Sequence, residues 1–393
     1  MTRPAPSIGP ARIALRFAGL HQDIVLPGRG GLADALHRTL HGWAAQRRPA
    51  TTRQTTPLAV VTEGRNGRFN LTSSHLDDPF EDLPRASTVC ALIADLAEAF
   101  CAARPGRTGL HCGAVRLGDG PLMLLTGAAR AGKSTLVARL ALEPDAQVFC
   151  DDILPVEPDG TALALGAPPR LRLPLPPRLQ AHAPQIGLAD ADYGYLETAT
   201  LAPHGTTARP GALVALQRRP GPARLHHLPA DRALWLLLGQ SITGHPDAAS
   251  AFARARALSE GLPALTLAYE DLDEAVALLR HAFAADATEP EPALPDPAPH
   301  PARPPHPARQ LRRSPGTAIR RHGDGLFLWQ IGGTRLWHLN PLARAIWLLL
   351  EAPQTPAMLT ATLAPLFPEA DPQQVGADIG AFLGTALEEG LLA

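Results

Sequence analysis

The stretch of sequence that decides the fold of this chain is Gly127-Ala128-Ala129-Arg130-Ala131-Gly132-Lys133-Ser134. The apolar run at 122–125 predicts a buried strand before it, and residues 134–140 predict a helix after it. Two glycines with this spacing let backbone N–H groups wrap around phosphate groups at the positive end of that helix. The eight residues therefore predict a phosphate-binding loop, or P-loop.

Lysine occurs once in the chain, at Lys133, although Lys and Arg together number 36. A compact ammonium group suits the narrow space between phosphates, so Lys133 is predicted to bridge the β- and γ-phosphates of ATP. The hydroxyl of Ser134 is predicted to bind Mg²⁺. The predicted nucleotide-binding residues are Gly127, Ala128, Ala129, Arg130, Ala131, Gly132, Lys133, Ser134 and Thr135. The alternative is a purely structural glycine turn.

Composition limits the class of partner. The net charge is -1 with a sequence pI near 7.0, so no overall electrostatic field attracts nucleic acid or an anionic membrane. No apolar run reaches the roughly 20 residues that span a bilayer, and the first residues lack the apolar core of a secretion signal, so a cytoplasmic protein is expected. The four cysteines have neither zinc-site spacing nor the density of a disulfide scaffold, which predicts free and mostly buried thiols.

Four regions differ in sequence pattern. Residues 1–85 predict a small α+β region, with short apolar runs at 13–17 and 58–61. A helical pattern at 86–103 opens a predicted nucleotide-binding domain that continues to residue 286. Residues 287–315 are about one third proline and predict a semi-rigid, extended linker with no core of its own. Residues 316–393 are sufficient for one small domain.

Candidate catalytic residues flank the P-loop. The strand-like run at 148–150 ends in Asp151 and Asp152. Phosphoryl transfer needs one carboxylate for Mg²⁺ and often a second to accept the hydroxyl proton of the substrate, and adjacent residues at a strand end point in different directions. A solvated Asp-Asp turn is the alternative. His111 is predicted at the start of the strand preceding the P-loop strand, where a histidine taken alone is more often packed or solvent-facing than catalytic.

These pieces together make residues 105–160 resemble the HPr kinase/phosphorylase family, whose core is similar to that of phosphoenolpyruvate carboxykinase. The shared pattern is a histidine, Gly-Lys-Ser-Thr and then an Asp-Asp strand. The resemblance implies that Asp151 is the general base, that His111 is its partner, and that Ser134 and Asp152 hold Mg²⁺. It also implies an α/β P-loop kinase core, flanked by the small N-terminal α+β region and a C-terminal winged-helix-like α+β domain.

One departure from that family concerns the segment after the Asp pair. HPr kinases carry a glutamate and an arginine near an Ile-Arg-Gly-Leu-Gly segment, whereas the comparable stretch here is Ala-Pro-Pro-Arg-Leu-Arg-Leu-Pro at 167–174, with no acid. A second metal ligand is therefore missing or comes from elsewhere, and HPr itself is not the expected substrate. Arg170 and Arg172 are either phosphate contacts or solvated side chains.

The tail predicts strands at 318–321, 326–331 and 334–339, followed by helices. Asn340 and Pro341 predict a helix start, and further helices are expected at 356–366 and 375–387, which gives a winged-helix-like module. The apolar stripes of these helices are interpreted as core. A winged helix can read DNA, but the third helix carries Asp378, Glu388 and Glu389 and no Arg or Lys, which counts against nucleic acid.

The string from Leu339 to Trp347 is similar to the signature of the PqqD family, and residues 381–392 fit its last helix. The resemblance implies that the tail binds the leader of a ribosomally made precursor peptide as an extra strand beside its sheet, against the third helix.

The combined hypothesis is an ATP- and Mg²⁺-dependent kinase for a Ser or Thr of a precursor peptide, acting through Asp151, His111 and Lys133. The alternatives are a nucleotide-regulated peptide chaperone without transfer, or a small-molecule kinase whose tail serves assembly. Neither nucleic acid nor a membrane is an expected partner, and homo-oligomerisation is left open.

Overall fold

The computed structural model describes residues 12–50, 56–76, 78–128, 130–242, 245–283, 290–294, 304–368 and 370–393. It is a mixed α/β protein with several sheets. Packing divides it into two units: the first comprises Met1–His227, Gln240–Thr243 and Gly261–Pro292, and the second comprises Leu228–Gly239, Gly244–Glu260 and Ala293–Ala393. The boundaries predicted from sequence at 85/86 and 286/287 stay predictions.

The chain begins with a six-stranded sheet. Its strands are β1 (Arg12–Phe17), β2 (Ile24–Pro27), β3 (Ala45–Pro49), β4 (Ala59–Glu63), β5 (Phe69–Ser73) and β6 (Phe80–Leu83), in the spatial order β3-β1-β2-β4-β5-β6. Helices α1 (Leu32–Thr39) and α2 (Arg85–Ala102) share a hydrophobic core with this sheet, in which Phe17, Leu36 and Leu96 are buried. The strands expected near 13–17 and 58–61 and the helix expected at 86–103 are confirmed.

The rest of the first unit contains more strands and two helices. In chain order the strands are β7 (Thr108–His111), β8 (Gly113–Leu117), β9 (Leu122–Thr126), β10 (Ala146–Cys150), β11 (Ile153–Val156), β12 (Ala162–Leu163), β13 (Arg170–Arg172), β14 (Ile186–Ala189), β15 (Tyr193–Leu196), β16 (Thr207–Ala208), β17 (Pro210–Arg218), β18 (Arg224–His227) and β19 (Ala264–Tyr269). The helices are α3 (Lys133–Leu140) and α6 (Leu272–Ala282), and a 3-10 helix covers Pro177–Gln185.

The sheet that contains the P-loop strand has the order β10-β8-β9-β17-β19-β18. Its central strands β9, β17 and β19 are parallel, whereas β8, β10 and β18 run antiparallel to their neighbours. Helices α3 and α6 pack on it through a second core, which includes Val137, Val214 and Leu279. The four-stranded sheet β16-β12-β11-β7 and the three-stranded sheet β13-β15-β14 complete the unit.

The structure corrects the position predicted for His111. It ends β7, which pairs with β11, and the strand beside β9 begins only at Gly113. The chain therefore passes from one sheet to another at Cys112. Gly113 permits this change because a Cβ there would lie 2.4 Å from the Cγ2 of Val137 on α3.

Besides a 3-10 helix at Ala364–Leu366, the second unit contains a three-stranded sheet and five α-helices within the described residues. These elements are α4 (Ala230–Gln240), α5 (Ala248–Ser259), β20 (Thr317–His322), β21 (Gly325–Gln330), β22 (Trp337–Leu339), α7 (Pro341–Leu349), α8 (Pro356–Leu363) and α9 (Pro372–Glu388). The helices and the first two strands predicted for the tail are thus confirmed, whereas the third strand, predicted at 334–339, is limited to Trp337–Leu339. The Asn340 side chain accepts a hydrogen bond of 2.8 Å from the backbone N–H of Ala343, the N-cap that starts α7.

The sheet of the second unit is covered on both faces. Along β21, Leu326 and Leu328 face the core formed with α7, α8 and α9. The intervening Phe327 and Trp329 face the other way and meet Phe252 of α5, with ring centroids 5.3 Å apart in each pair. Helices α4 and α5 lie between β18 and β19 in the chain, so the cover comes from an insertion between two strands of the P-loop sheet.

A second contact joins the same face of the sheet to α4. The Nε2 atom of His338 on β22 lies 2.8 Å from the Oδ2 atom of Asp231 on α4, and both side chains are largely buried. Gly325 gives room for this pair, since a Cβ there would lie 2.5 Å from the His338 ring. This hydrogen bond adds a directional contact to the apolar packing of α5 on the sheet.

Part of the predicted linker also packs against the second unit. Residues 287–289 and 295–303 lie outside the described residues. Leu311 is buried, and its backbone pairs with that of Gln354. Arg313 pairs with Leu392 in the same way. The expectation that this segment contributes nothing to a core is therefore wrong at Leu311, because a single apolar side chain among the prolines is enough to anchor it.

The packing of Phe252 on the sheet predicts that its side chain contributes to the free energy of unfolding. Replacing the ring in Phe252→Ala leaves a cavity against Phe327 and Trp329, so we expect a loss of about 3 kcal/mol or more in the free energy of unfolding. Denaturant unfolding of the whole chain measures this loss. The matched control is Phe80→Ala, because Phe80 is 44% exposed and its removal should change stability by only about 0.5 kcal/mol. Equal losses in the two variants would show that α5 does not hold the sheet.

Candidate functional site

The P-loop stretch lies between β9 and α3, as its sequence predicts. Gly127 and Gly132 have φ angles of 152° and 94°, which side chains rarely adopt. A Cβ at Gly132 would lie 2.6 Å from the hydroxyl of Tyr269, and one at Gly127 would lie 2.9 Å from the carbonyl oxygen of Leu216. Both glycines are thus required by backbone conformation and by close neighbours.

Lys133 is the first residue of α3, and its ammonium group donates a hydrogen bond of 3.1 Å to the carbonyl oxygen of Gly127. The side chain therefore folds back across the loop from the start of the helix. The predicted residue Ala129 lies outside the described residues. Ser134 and Thr135 occupy the first turn of α3 and are half-buried. The positive end of the helix dipole and free backbone N–H groups meet at this turn.

Asp151 follows β10 and is buried, with 7% of its surface exposed. Its Oδ2 atom accepts a hydrogen bond of 2.9 Å from the backbone N–H of Arg170. Its Oδ1 atom makes no hydrogen bond of ordinary geometry to any described residue. The Ser134 hydroxyl is nevertheless close enough to lower the pKa of the carboxyl. The pKa of Asp151 is raised to about 7, chiefly by burial; the hydrogen bond from the Arg170 backbone lowers the pKa, and the charge of Asp152 raises it.

Asp152 has a different environment. Its Oδ1 atom lies 3.2 Å from the Nε2 atom of His111, and the two side chains are 53% and 49% exposed. The antiparallel pairing of β7 with β11 places them side by side, since His111 is opposite Ile153. The resemblance implies that His111 is the partner of Asp151. The structure pairs His111 with Asp152 and puts Asp151 beside Ser134.

The two adjacent carboxyl groups therefore differ in burial and in partner. A buried carboxyl whose pKa is near 7 can accept a proton at neutral pH, and neighbouring carboxyl groups in contrasting environments are typical of acid–base sites. Within the described residues, no three His, Cys, Asp or Glu side chains converge on one metal position.

Sequence reasoning missed Tyr269 as a neighbour of the P-loop. It ends β19, far along the chain, and its hydroxyl donates a hydrogen bond of 3.2 Å to the carbonyl oxygen of Ala131. Nothing in the local pattern marks this residue, because its role depends on the pairing of β19 with β17. The sequence leaves Arg170 as either a phosphate contact or a solvated side chain. In the structure its guanidinium contacts the Cys90 thiol and lies 4.9 Å from the ring centre of Tyr193. Arg172 is exposed.

The tail resembles a known family in both sequence and elements. Residues 325–392 match the family model described as Coenzyme PQQ synthesis protein D (PqqD). Residues 325–392 are a PqqD domain. No curated protein matches the chain. The family match covers β21, β22 and the three helices after them, and the resemblance of residues 105–160 to HPr kinases stays a prediction.

The sheet of the PqqD domain ends at β22, which pairs with β21 and with no further strand among the described residues. Trp337 and Leu339 face the core that includes α9, whereas His338 faces α4. None of the described helices is both long and apolar enough to cross a bilayer.

The raised pKa of Asp151 predicts a pH dependence of stability. An unfolded aspartate ionises near 3.8, whereas the folded carboxyl stays protonated up to about 7. Between these values the unfolded state binds fewer protons, so the free energy of unfolding falls as pH rises, by an amount on the order of a few kcal/mol. Urea unfolding at several pH values in this window should show a smaller fall for Asp151→Asn than for the native chain.

The control for this measurement is Asp119→Asn, which changes an exposed turn outside the site. It should keep the pH dependence of the native chain. If Asp151→Asn also keeps it, the buried carboxyl is ionised in the folded protein and our account of its environment is wrong.

Proposed function

We propose that the protein is an ATP-dependent kinase that phosphorylates a Ser or Thr of a precursor peptide captured by its PqqD domain. The observation that carries the proposal is the buried Asp151 carboxyl beside Ser134 of the P-loop stretch. Both halves of the hypothesis rest on resemblance as well, to HPr kinases for residues 105–160 and to peptide-binding PqqD domains for the tail. A PqqD domain indicates a role in the modification of ribosomally made peptides.

The loop offers the groups that a nucleotide needs. The first turn of α3 presents N–H groups, and the Lys133 ammonium would leave the Gly127 carbonyl to contact the phosphates. Mg²⁺ fits the oxygen donors present, because the half-buried Ser134 hydroxyl and the exposed Asp152 carboxylate are ligands of the kind that it prefers. Ser134 and Asp152 would hold the ion, which leaves Asp151 as the base. When bound, the ion would neutralise charge on the phosphate oxygens.

In the proposed reaction the hydroxyl oxygen of the acceptor forms a bond to the γ-phosphorus of ATP. The bond between that phosphorus and the bridging oxygen breaks, and ADP leaves. The hydroxyl proton goes to the Asp151 carboxylate, whose pKa of about 7 suits a base that works at neutral pH. His111 holds Asp152 at the mouth of the site.

The PqqD domain would supply the peptide. A leader peptide can add as a strand to the open side of β22, where it meets the face of the domain that contains α9. Capture of the leader raises the local concentration of the acceptor residue, so weak affinity for the acceptor itself suffices.

The proposal is tested with labelled ATP, Mg²⁺ and a precursor peptide that the PqqD domain binds. We expect label on a Ser or Thr of the peptide. Asp151→Asn should lower the transfer rate by about 100-fold or more and leave nucleotide affinity in place. Lys133→Ala should lose nucleotide affinity. Peptide binding without any transfer would favour a chaperone, and an unchanged rate in Asp151→Asn would remove the proposed base.

A separate measurement tests leader capture. A leader fragment without the acceptor region, added in trans, should raise the KM for the full precursor and leave the KM for ATP unchanged. A scrambled fragment of the same composition is the control. If the leader fragment has no more effect than the scrambled one, the PqqD domain does not present the substrate.

A further inference from the structure

Trp235 of α4 leaves a large aromatic surface in contact with solvent. Its side chain is 40% exposed, whereas Asp231, one helical turn earlier, is largely buried against His338 of β22. The ring centres of Trp235 and His338 are 5.9 Å apart. Tryptophan is among the residues that most often anchor a protein partner. The packing of α4 on the sheet therefore accounts for Asp231 but leaves part of the Trp235 indole uncovered.

The two inserted helices cover different strands of the sheet. Phe252 of α5 lies against β21, where it meets Phe327 and Trp329. Helix α4 contacts β22 through Asp231 and Trp235. Since β22 has no further strand beside it among the described residues, α4 lies over the strand that forms the open edge. This edge has the helices of the PqqD domain on one face and α4 on the other.

A peptide strand added at β22 would continue a row of rings on the α4 face. Phe327 and His338 are directly opposite each other on β21 and β22, and their ring centres are 4.8 Å apart. Neighbouring strands are also about 4.8 Å apart, so the peptide residue opposite His338 takes the next place in this row. Its side chain comes within reach of the Trp235 indole, which already contacts the His338 ring.

The chemistry of that peptide residue follows from the indole. Side chains of an added strand alternate between the two faces of the sheet. One set meets the PqqD helices, and the set between them faces α4. An aliphatic or aromatic side chain in the second set removes the exposed indole surface from water, whereas a charged one does not. The α4 face therefore favours an apolar residue.

We propose that Trp235 is a second recognition residue for the leader peptide and binds an aliphatic or aromatic side chain at the leader position opposite His338. The inference rests on leader capture at β22, which is part of the proposed function. It adds a surface supplied by the insertion between two strands of the P-loop sheet. The leader then needs apolar side chains at adjacent positions, one for each face of the sheet.

The first test measures how the full chain binds a fluorescein-labelled leader fragment of a precursor peptide that the PqqD domain binds. Trp235→Ala should raise the Kd by about tenfold or more, and Trp235→Phe should recover most of the affinity. Phe80→Ala is the matched control and should leave the Kd unchanged, because it removes a ring of similar exposure, 44%, from the other unit. Equal Kd values for Trp235→Ala and the native chain would overturn the proposal.

The second test uses quenching of tryptophan fluorescence by acrylamide and includes the unsubstituted chain. Trp235 is the most exposed of the five tryptophans, since Trp43, Trp329 and Trp347 are buried and Trp337 is half-buried. The leader fragment should reduce quenching in the native chain and reduce it much less in Trp235→Phe. An equal reduction in both places the leader on the Trp337 face alone and contradicts the proposal. Protection that rises with protein concentration without the leader assigns the indole to a second copy, with the same consequence.

Alanine substitutions along the leader separate this inference from the proposed function. One leader position should lose its effect on the Kd in Trp235→Ala, while its two neighbours keep theirs. Such coupling without any phosphoryl transfer supports Trp235 and removes the kinase. Transfer to a peptide whose leader positions all act independently of Trp235 supports the kinase and overturns the role of Trp235. No binding of the leader fragment by the native chain overturns both leader capture and this inference.

Discussion

The Asp151 carboxyl gives up its hydration on folding and receives one well-formed hydrogen bond in return, from the backbone N–H of Arg170. Such an exchange is unfavourable for an ionised carboxyl, and the pKa of Asp151 rises for that reason. The surrounding structure has to hold the group in place against this cost. Two sheets and the backbone at Arg170 together hold the carboxyl in place.

Hydrogen bonds connect the sheet that contains β8 and β10 to the sheet that contains β7 and β11, at the ends of these strands. The backbone N–H of Cys112 donates a hydrogen bond of 3.0 Å to the carbonyl oxygen of Asp152, and the Cys150 thiol donates one of 3.1 Å to the carbonyl oxygen of Cys112. Both segments leave one sheet and enter the other here, at β7 to β8 and at β10 to β11. His111, Asp151 and Asp152 therefore lie where the chain passes from one sheet to the other.

Features set by adjacent residues could be predicted from the sequence. The strand, glycine turn and helix around Lys133 follow from local pattern, as does the N-cap of α7 at Asn340. The partner of His111 could not be predicted, because it depends on the register of β7 against β11, which are separated by more than 40 residues. The position of Tyr269 could not be predicted for the same reason, because the parallel pairing of β17 and β19 brings its hydroxyl to the glycine-rich loop.

The tail is not packed by its own residues alone, because α4 and α5 cover one face of its sheet. A proline-rich tether suggests a module that moves freely and acts by raising local concentration. Here the strand that carries Phe327 and Trp329 packs on α5, and α5 continues in the chain toward β19 of the P-loop sheet. Removing the tail would expose Phe252 and leave Asp231 without His338, so a truncated chain would report on lost packing as well as on lost peptide binding. Point substitutions and competing peptides separate these two effects, because they leave both faces of the sheet covered.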